Sequence, residues 1–228
     1  MNVSLQVIAH MESDFPDKFG IPRQSGLAEH LVSRIVFEEE FRNPDAFRGI
    51  QEYSHLWLLW HFSESDRNGE WSPTVRPPRL GGNTRVGVFA TRSPFRPNPI
   101  GLSSVKLERF ELDKKLGPVL YVSGADLMDG TPIFDVKPYL GYVDSHPEAK
   151  DGFALNRKEG VLQVSVEEEI FSKIPEEKRE GLLEILSQDP RPQYQDSPER
   201  VYKMKFAEYE VWFRVEGENL YVETIRMQ

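Results

Sequence analysis

The chain has no cysteine. That excludes a disulfide framework, a thiolate zinc site, an iron–sulfur cluster and a cysteine nucleophile, and it suits a reducing cytoplasm. No apolar run approaches the roughly 20 residues needed to cross a bilayer as a helix. The first ten residues alternate Val3, Leu5, Val7 and Ala9 with polar neighbours, the period of a half-buried strand and unlike the unbroken apolar stretch of a signal peptide. A soluble, unexported, cytoplasmic protein is expected. G-x-G-x-x-G, Walker, G-x-S-x-G and H-E-x-x-H motifs are missing too, which removes sequence support for several common enzyme classes. His55 and His61 are spaced H-x5-H, which matches neither helical metal-pair spacing, so no metal site is expected.

What the sequence does have is 228 residues, 39% hydrophobic and 11% aromatic, enough for one good core and a smaller second unit. Its most unusual stretch is 75–104, VRPPRLGGNTRVGVFATRSPFRPNPIGLSS, where Pro77, Pro78, Pro94, Pro97 and Pro99 fix φ and remove backbone donors. A rigid loop is expected there, and with it the active site. Between residues 76 and 109, Arg76, Arg79, Arg85, Arg92, Arg96, Lys106 and Arg109 face only Glu108, whereas the whole chain carries a formal −9. The contrast fits a negatively charged partner that meets the protein at one place; a solvated basic rim is the other reading.

Strands are expected over 1–10, 31–37 (Leu31, Ser33, Ile35 and Phe37 on one face), 53–62, 86–90, 105–112, 119–124 and 133–137. The run 53–62, YSHLWLLWHF, suits a strand buried on both faces or at a barrel corner, and 105–124 suits a hairpin. Asn43-Pro44-Asp45 should start a helical turn, with Asn as the cap and Pro in the first helical position. A polar break over 143–159 marks a domain boundary. Beyond it come a strand at 161–166, an amphipathic helix around 176–187, a Pro-rich loop at 188–192 and strands at 208–215 and 220–226. Many short strands with Gly/Pro-rich connections argue for a mainly β fold: a barrel or sandwich over 1–145, a linker over 146–159 and a small α+β unit over 160–228. The lack of strand–helix alternation disfavours a doubly wound sheet.

The residues suited to chemistry collect in loops. Arg92 and Arg96 could clamp a carboxylate or phosphate in bidentate fashion, and Asn98, between two prolines, could read a base edge or cap its own turn. Asp126 and Asp129 could accept hydrogen bonds from an amine or ribose, or close an Asx-turn before Gly130. Asp135, Lys137 and Tyr139 would share a strand face, either as a proton-handling cluster or as a cross-strand ion pair.

The stretches RVGVFATRSPFRPNPIGLS (85–103), DGTPIFDVKPYL (129–140), FGIPRQSGL (19–27), SHLW (54–57) and DPRPQY (189–194), in that set, resemble the TrmO family of tRNA methyltransferases over nearly the whole chain. The resemblance implies a non-Rossmann β-barrel that binds S-adenosyl-L-methionine (SAM), and a homodimer. As acceptor it implies the N6 atom of N6-threonylcarbamoyladenosine, next to the anticodon of threonine tRNA. By motif it implies SAM contacts from Pro22, Arg23, Gln24, Ser63, Glu64, Arg92, Leu102, Asp126, Leu127, Met128 and Asp129. Arg96 and Asn98 are expected to hold the threonyl carboxylate and the base, with Lys137 or Tyr139 assisting the proton and Asp135 orienting that group. The alternatives are a SAM-binding regulator without the reaction, and a hydrolase of a small carboxylated substrate.

Overall fold

Where apolar and polar residues alternate without a proline, the chain pairs into strands. The computed structural model describes residues 3–65, 71–77, 80, 82–155, 161–191, 197 and 199–228; Pro78, Arg79, Pro192 and residues 156–159 of the expected linker lie outside them. The strands of the first part are β1 (Ala9–Glu12), β2 (Val32–Phe37), β3 (His55–His61), β4 (Thr74–Val75), β5 (Val86–Gly87), β6 (Ile100–Asp113), β7 (Gly117–Ser123) and β8 (Pro132–Pro138), followed by a single helical turn, α1 (Gly141–Asp144). Asn43 caps a short 3-10 helix at Pro44–Phe47 by accepting the Asp45 amide at 3.0 Å, as expected from its sequence.

Six strands close a barrel in the order β1-β2-β7-β6-β3-β8, while β4 and β5 form a separate two-stranded ribbon. Every neighbouring pair in the barrel is antiparallel. The ends of β1, β3 and β7 therefore meet the starts of β2, β6 and β8 at one mouth, and the connections 13–31, 62–99 and 124–131 all emerge there. The interior holds Met11, Ile35, Leu56, Leu58, Val105, Leu120, Val122 and Ile133. Leu127, fully buried, drops from the third connection into the same core and fills the mouth.

Three expectations need correcting. Val3 and Leu5 are 77% and 55% exposed, and backbone pairing starts only at Ile8, because the alternation at the terminus has no partner strand to cover it. The aromatic run of β3 is not buried on both faces: Leu56, Leu58 and Trp60 point into the barrel, while its other residues are exposed or half-buried on the outer wall. The expected strand at 86–90 also shortens to the two residues of β5 and turns into a 3-10 helix at Val88–Ala90.

The second part contains β9 (Gln163–Ser165), α2 (Glu168–Phe171), α3 (Glu176–Ser187), β10 (Tyr202–Phe206), β11 (Tyr209–Glu216) and β12 (Asn219–Met227). Its sheet runs β10-β11-β12-β9, with β9 parallel to β12. Leu182, Ile185 and Leu186 of α3 share a core with Phe206, Val211, Phe213 and Ile225 of the sheet. That core also takes Phe15, Ala28 and Leu31, with Phe19 and Ile21 packed against it. The first mouth connection of the barrel is thus built into the second core. Gly20 makes this close approach possible, since a Cβ there would stand 2.3 Å from the Met204 sulfur and its φ is +98°.

Candidate functional site

The mouth collects most of the residues expected to bind a cofactor. The second and third connections are stitched to the first by hydrogen bonds that need polar residues at fixed places. Lys18 Nζ donates to the Glu64 carbonyl at 2.5 Å and to Ser65 Oγ at 3.2 Å, which ties the exposed Ser63-Glu64 turn to the 13–31 segment. The Ser13 amide donates to Asp129 Oδ1 at 3.0 Å, Ser13 Oγ donates to the Leu127 carbonyl at 2.9 Å and the Gly26 amide donates to the Gly124 carbonyl at 2.8 Å. Asp129 therefore joins two connections instead of closing its own turn. Leu127 offers a ligand only main-chain atoms, because its side chain is in the barrel core.

Asp126 occupies the centre of this arrangement. Its Oδ1 accepts the Ser103 hydroxyl at 2.5 Å, and Ser103 Oγ in turn accepts the Trp60 indole N–H at 3.0 Å. Burial raises the Asp126 carboxyl above its ordinary value; the Ser103 hydrogen bond, the Arg92 charge and the Ser25 amide oppose that rise. Arg92 is exposed, and its guanidinium donates to Gln24 Oε1. Pro22 is buried, while Arg23 reaches the second unit by donating to the carbonyls of Asp189 at 3.2 Å and Arg191 at 3.4 Å. Arg191 grips Asp189 in turn through Nε at 2.8 Å and Nη2 at 2.9 Å. The described part of the 189–194 motif is thus a clamp on Arg23; residues 192–194 lie outside the described residues.

Arg96 is half-buried and donates to the Thr91 carbonyl at 2.7 Å and the Val88 carbonyl at 3.4 Å, so one guanidinium nitrogen shapes its own loop. Its carbon lies 5.9 Å from the centroid of Phe89, which is 71% exposed and faces the half-exposed Trp71 at 6.2 Å. Asn98 is exposed, and its carbonyl accepts the Ile100 amide at 2.8 Å.

The positive stretch does not form one patch. Lys106 pairs with Glu108 at 2.9 Å, and Arg109 lies over the Tyr121 ring with Glu111 3.6 Å away, both down β6 from the mouth. Counting charge along the sequence joined residues that the long strand β6 carries apart.

Leu102, 57% exposed, stands on the outer wall, opposite Leu59, which is itself opposite Asp135. At about 4.8 Å per strand, Leu102 and Asp135 are roughly 10 Å apart on that wall. Lys137 is one row further from the mouth, beside Trp57, and its Nζ pairs with Asp135 Oδ2 at 2.7 Å. The ion pair expected across strands therefore runs along one strand. Tyr139 is further still, its amide on the His55 carbonyl at 3.0 Å and its ring 5.4 Å from that of Trp57. Among the described residues, no group of His, Asp and Glu is placed to hold a metal ion.

Reading the sequence for a site missed Ser103 and Trp60. Gly101 was the available signal: a Cβ there would lie 2.2 Å from the Trp60 ring, so that glycine reserves the space in which the indole lies against β6.

Two family models match the chain in order. The tRNA-methyltransferase O N-terminal domain matches residues 10–145, and the TrmO C-terminal domain matches residues 159–228. The chain belongs to the TrmO family. A TrmO relative from Eikenella corrodens, named tRNA (adenine(37)-N6)-methyltransferase, is 47% identical over 173 residues, 76% of this chain and 97% of the relative. One of the same name from Escherichia coli strain K12 is 40% identical over 216 residues, 91% of each chain. The crystal structure of TrmO from Pseudomonas aeruginosa superposes with a TM-score of 0.81 at 31% identity, covering 100% of this chain and 98% of that one.

Proposed function

We propose that this protein transfers the methyl group of SAM to N6 of the adenosine beside the tRNA anticodon, in its threonylcarbamoylated form on threonine tRNA. The observation that carries the reading is the TrmO match across both units, together with a barrel mouth where the motif residues meet. The donor set suits SAM. Asp126 offers a carboxylate, Arg92 a guanidinium and Leu102 an exposed apolar surface, which match a cation, a carboxylate and an adenine or thioether face. Pro22, Arg23, Gln24, Ser63, Glu64 and the 126–129 segment would complete the binding site.

When bound, SAM supplies an electrophilic methyl group on a sulfonium. The chain's own residues hold the acceptor and take its proton. The threonyl carboxylate is placed by Arg96 with Asn98 beside it, and alignment of the two reactants alone contributes several orders of magnitude. Asp135 is the acceptor for the N6 proton because, of the three residues expected to share that work, it is the nearest to Leu102. Lys137 then holds the Asp135 carboxylate in place through their ion pair, and Tyr139 packs the wall instead of meeting the substrate.

The RNA backbone is met at the mouth by Arg76 and Arg85, with Trp71 and Phe89 as stacking surfaces for unpaired bases. The outer wall carries exposed Leu102, Tyr142 and Val143 beside Trp57, an apolar face suited to a second copy and a homodimer. Sedimentation equilibrium tests this; a monomer at micromolar concentration would remove it. A cytoplasmic site follows from the substrate.

The deciding experiment is transfer of labelled methyl from SAM to threonine tRNA prepared with and without its threonylcarbamoyl group. Label in the modified tRNA alone is expected, and Asp135→Asn should lower kcat by about 10²–10⁴ with SAM affinity unchanged. SAM binding without label in either tRNA would favour the regulator, and turnover without SAM would favour a hydrolase.

A further inference from the structure

Phe89 is 71% exposed, although Val88 before it is buried at 1%. The backbone on both sides of its ring is tied down. The Val88 amide donates to the Pro73 carbonyl at 3.0 Å, and the Val88 carbonyl accepts the Thr91 amide at 3.1 Å, the Thr91 hydroxyl at 2.8 Å and an Arg96 N–H at 3.4 Å. The 3-10 turn Val88–Ala90 therefore holds the ring out from a fixed base. Trp71 stands beside it, its ring 6.2 Å away between centroids and inclined by 32°, and the Arg96 guanidinium carbon is 5.9 Å from the Phe89 centroid. A flat side chain with two torsions on a fixed backbone loses little freedom when a second flat group lies on it.

The ribbon that carries these rings has two unlike ends. Val75 lies opposite Val86 and Thr74 opposite Gly87, so the exposed Arg76 and Arg85 share one end while Trp71 and Phe89 share the other. Cations suit a phosphate backbone and rings suit unpaired bases, as on surfaces that bind single strands. The reacting base cannot stay in the stack of such a strand, because its N6 atom must enter a mouth walled by three connections while its neighbours cover both its faces. Turning it out breaks two stacks, and a flat apolar group that takes the empty place restores them. Phe89 is a group of that kind, and it lies beside the arginine that receives the threonyl carboxylate.

We infer that Phe89, braced by Trp71, is a wedge that takes the place of the target adenosine in the anticodon loop and so keeps that base in the mouth. This rests on the tRNA reading proposed above, and it gives Phe89 one defined partner, the gap left by the reacting base.

Methyl transfer by the full-length chain to two threonylcarbamoylated threonine tRNAs tests it, one intact and one in which both nucleotides flanking the modified adenosine are abasic, so that the base starts unstacked. Phe89→Ala should lower kcat/KM by about tenfold to a hundredfold on the intact tRNA and leave it within about threefold of wild type on the abasic one. Phe89→Trp retains a flat ring and should keep wild-type rates on both. Affinity for S-adenosylhomocysteine, read by titration calorimetry, should stay within about twofold in each variant. An equal loss on both tRNAs, no loss on either, or a parallel loss of S-adenosylhomocysteine affinity would overturn the inference. Wild-type activity on the intact tRNA alone would overturn it as well, because the neighbouring bases would then be required for entry. Should Phe89→Ala fail to fold, Phe89→Leu, which keeps the bulk without the plane, decides it by the same ratio. Wild-type protein that labels neither tRNA would instead overturn the proposed function itself.

Discussion

Asp126 is kept where a carboxylate is costly to ionise. Burial raises its carboxyl above the ordinary value, so the folded protein holds that proton to a higher pH than the unfolded chain does. As pH rises from the unfolded value through the folded one, the folded state must give up a proton it binds more tightly, and stability falls across that window. Asp126→Asn should remove this contribution. The variant is expected to melt no lower than wild type at pH 7 and to show a flatter melting-temperature profile on the alkaline side of the window, as measured by thermal melts in matched buffers. A lower melting temperature at every pH would mean that the carboxylate stabilises the mouth. At this scale the sequence named Asp126 as an acceptor but could not separate it from an Asx-turn, since the distinction lies with Ser103, more than twenty residues away in the chain. Arg96 shows the converse: its type and rigid loop were legible, while the bonds to Thr91 and Val88 that occupy one of its nitrogens were not.

Among the elements, the connection 13–31 departs furthest from a local reading. Its prolines, glycines and charges mark a loop correctly, but Phe15, Ala28 and Leu31 are buried in the core of the other unit. Leu31 faces α3 at Gly181, where a Cβ would come within 2.3 Å of the leucine side chain. Leu31→Ala should therefore cost about 2–5 kcal/mol in denaturant unfolding. The loss should appear in the transition of the second unit even though residue 31 precedes β2; a loss of under about 1 kcal/mol would show that the segment is loosely held. Strands β2, β11 and β12 and helix α3 follow their periodicity closely, because each buries one face, whereas β7 is buried on both. Strand β10 escaped notice since its five residues follow a polar, proline-bearing stretch. Residues 3–7 of the expected terminal strand failed for the opposite reason: they have the pattern and lack the partner.

For the whole molecule, charge decides how RNA is met. A protein with a formal −9 repels phosphate over most of its surface. Arg76, Arg85, Arg92 and Arg96 belong to the mouth connection, while Lys106 and Arg109 are paired with acids along β6. The binding footprint is then smaller than the linear count of basic residues suggests. With Arg92 and Arg96 engaged on carboxylates, Arg76 and Arg85 are left for phosphate; two such contacts should make log Kd rise with log salt at a slope of about 1.5–2, and Arg85→Ala should lower that slope by nearly one. Filter binding at graded potassium chloride concentrations measures it. A slope near zero would contradict an electrostatic footprint at the mouth, and one near six would restore the full basic stretch.

Gly20 leaves the Met204 sulfur facing bare backbone. With no side chain between backbone and thioether, the 19–24 segment rests directly on the sheet of the second unit, and Arg23 is clamped there from the other side by the 189–191 turn. The second unit acts as the foundation on which one wall of the mouth is levelled. Altering Met204, which lies in the core of the second unit, would tilt that wall, so the affinity of the mouth becomes a gauge of how well a distant sheet is packed.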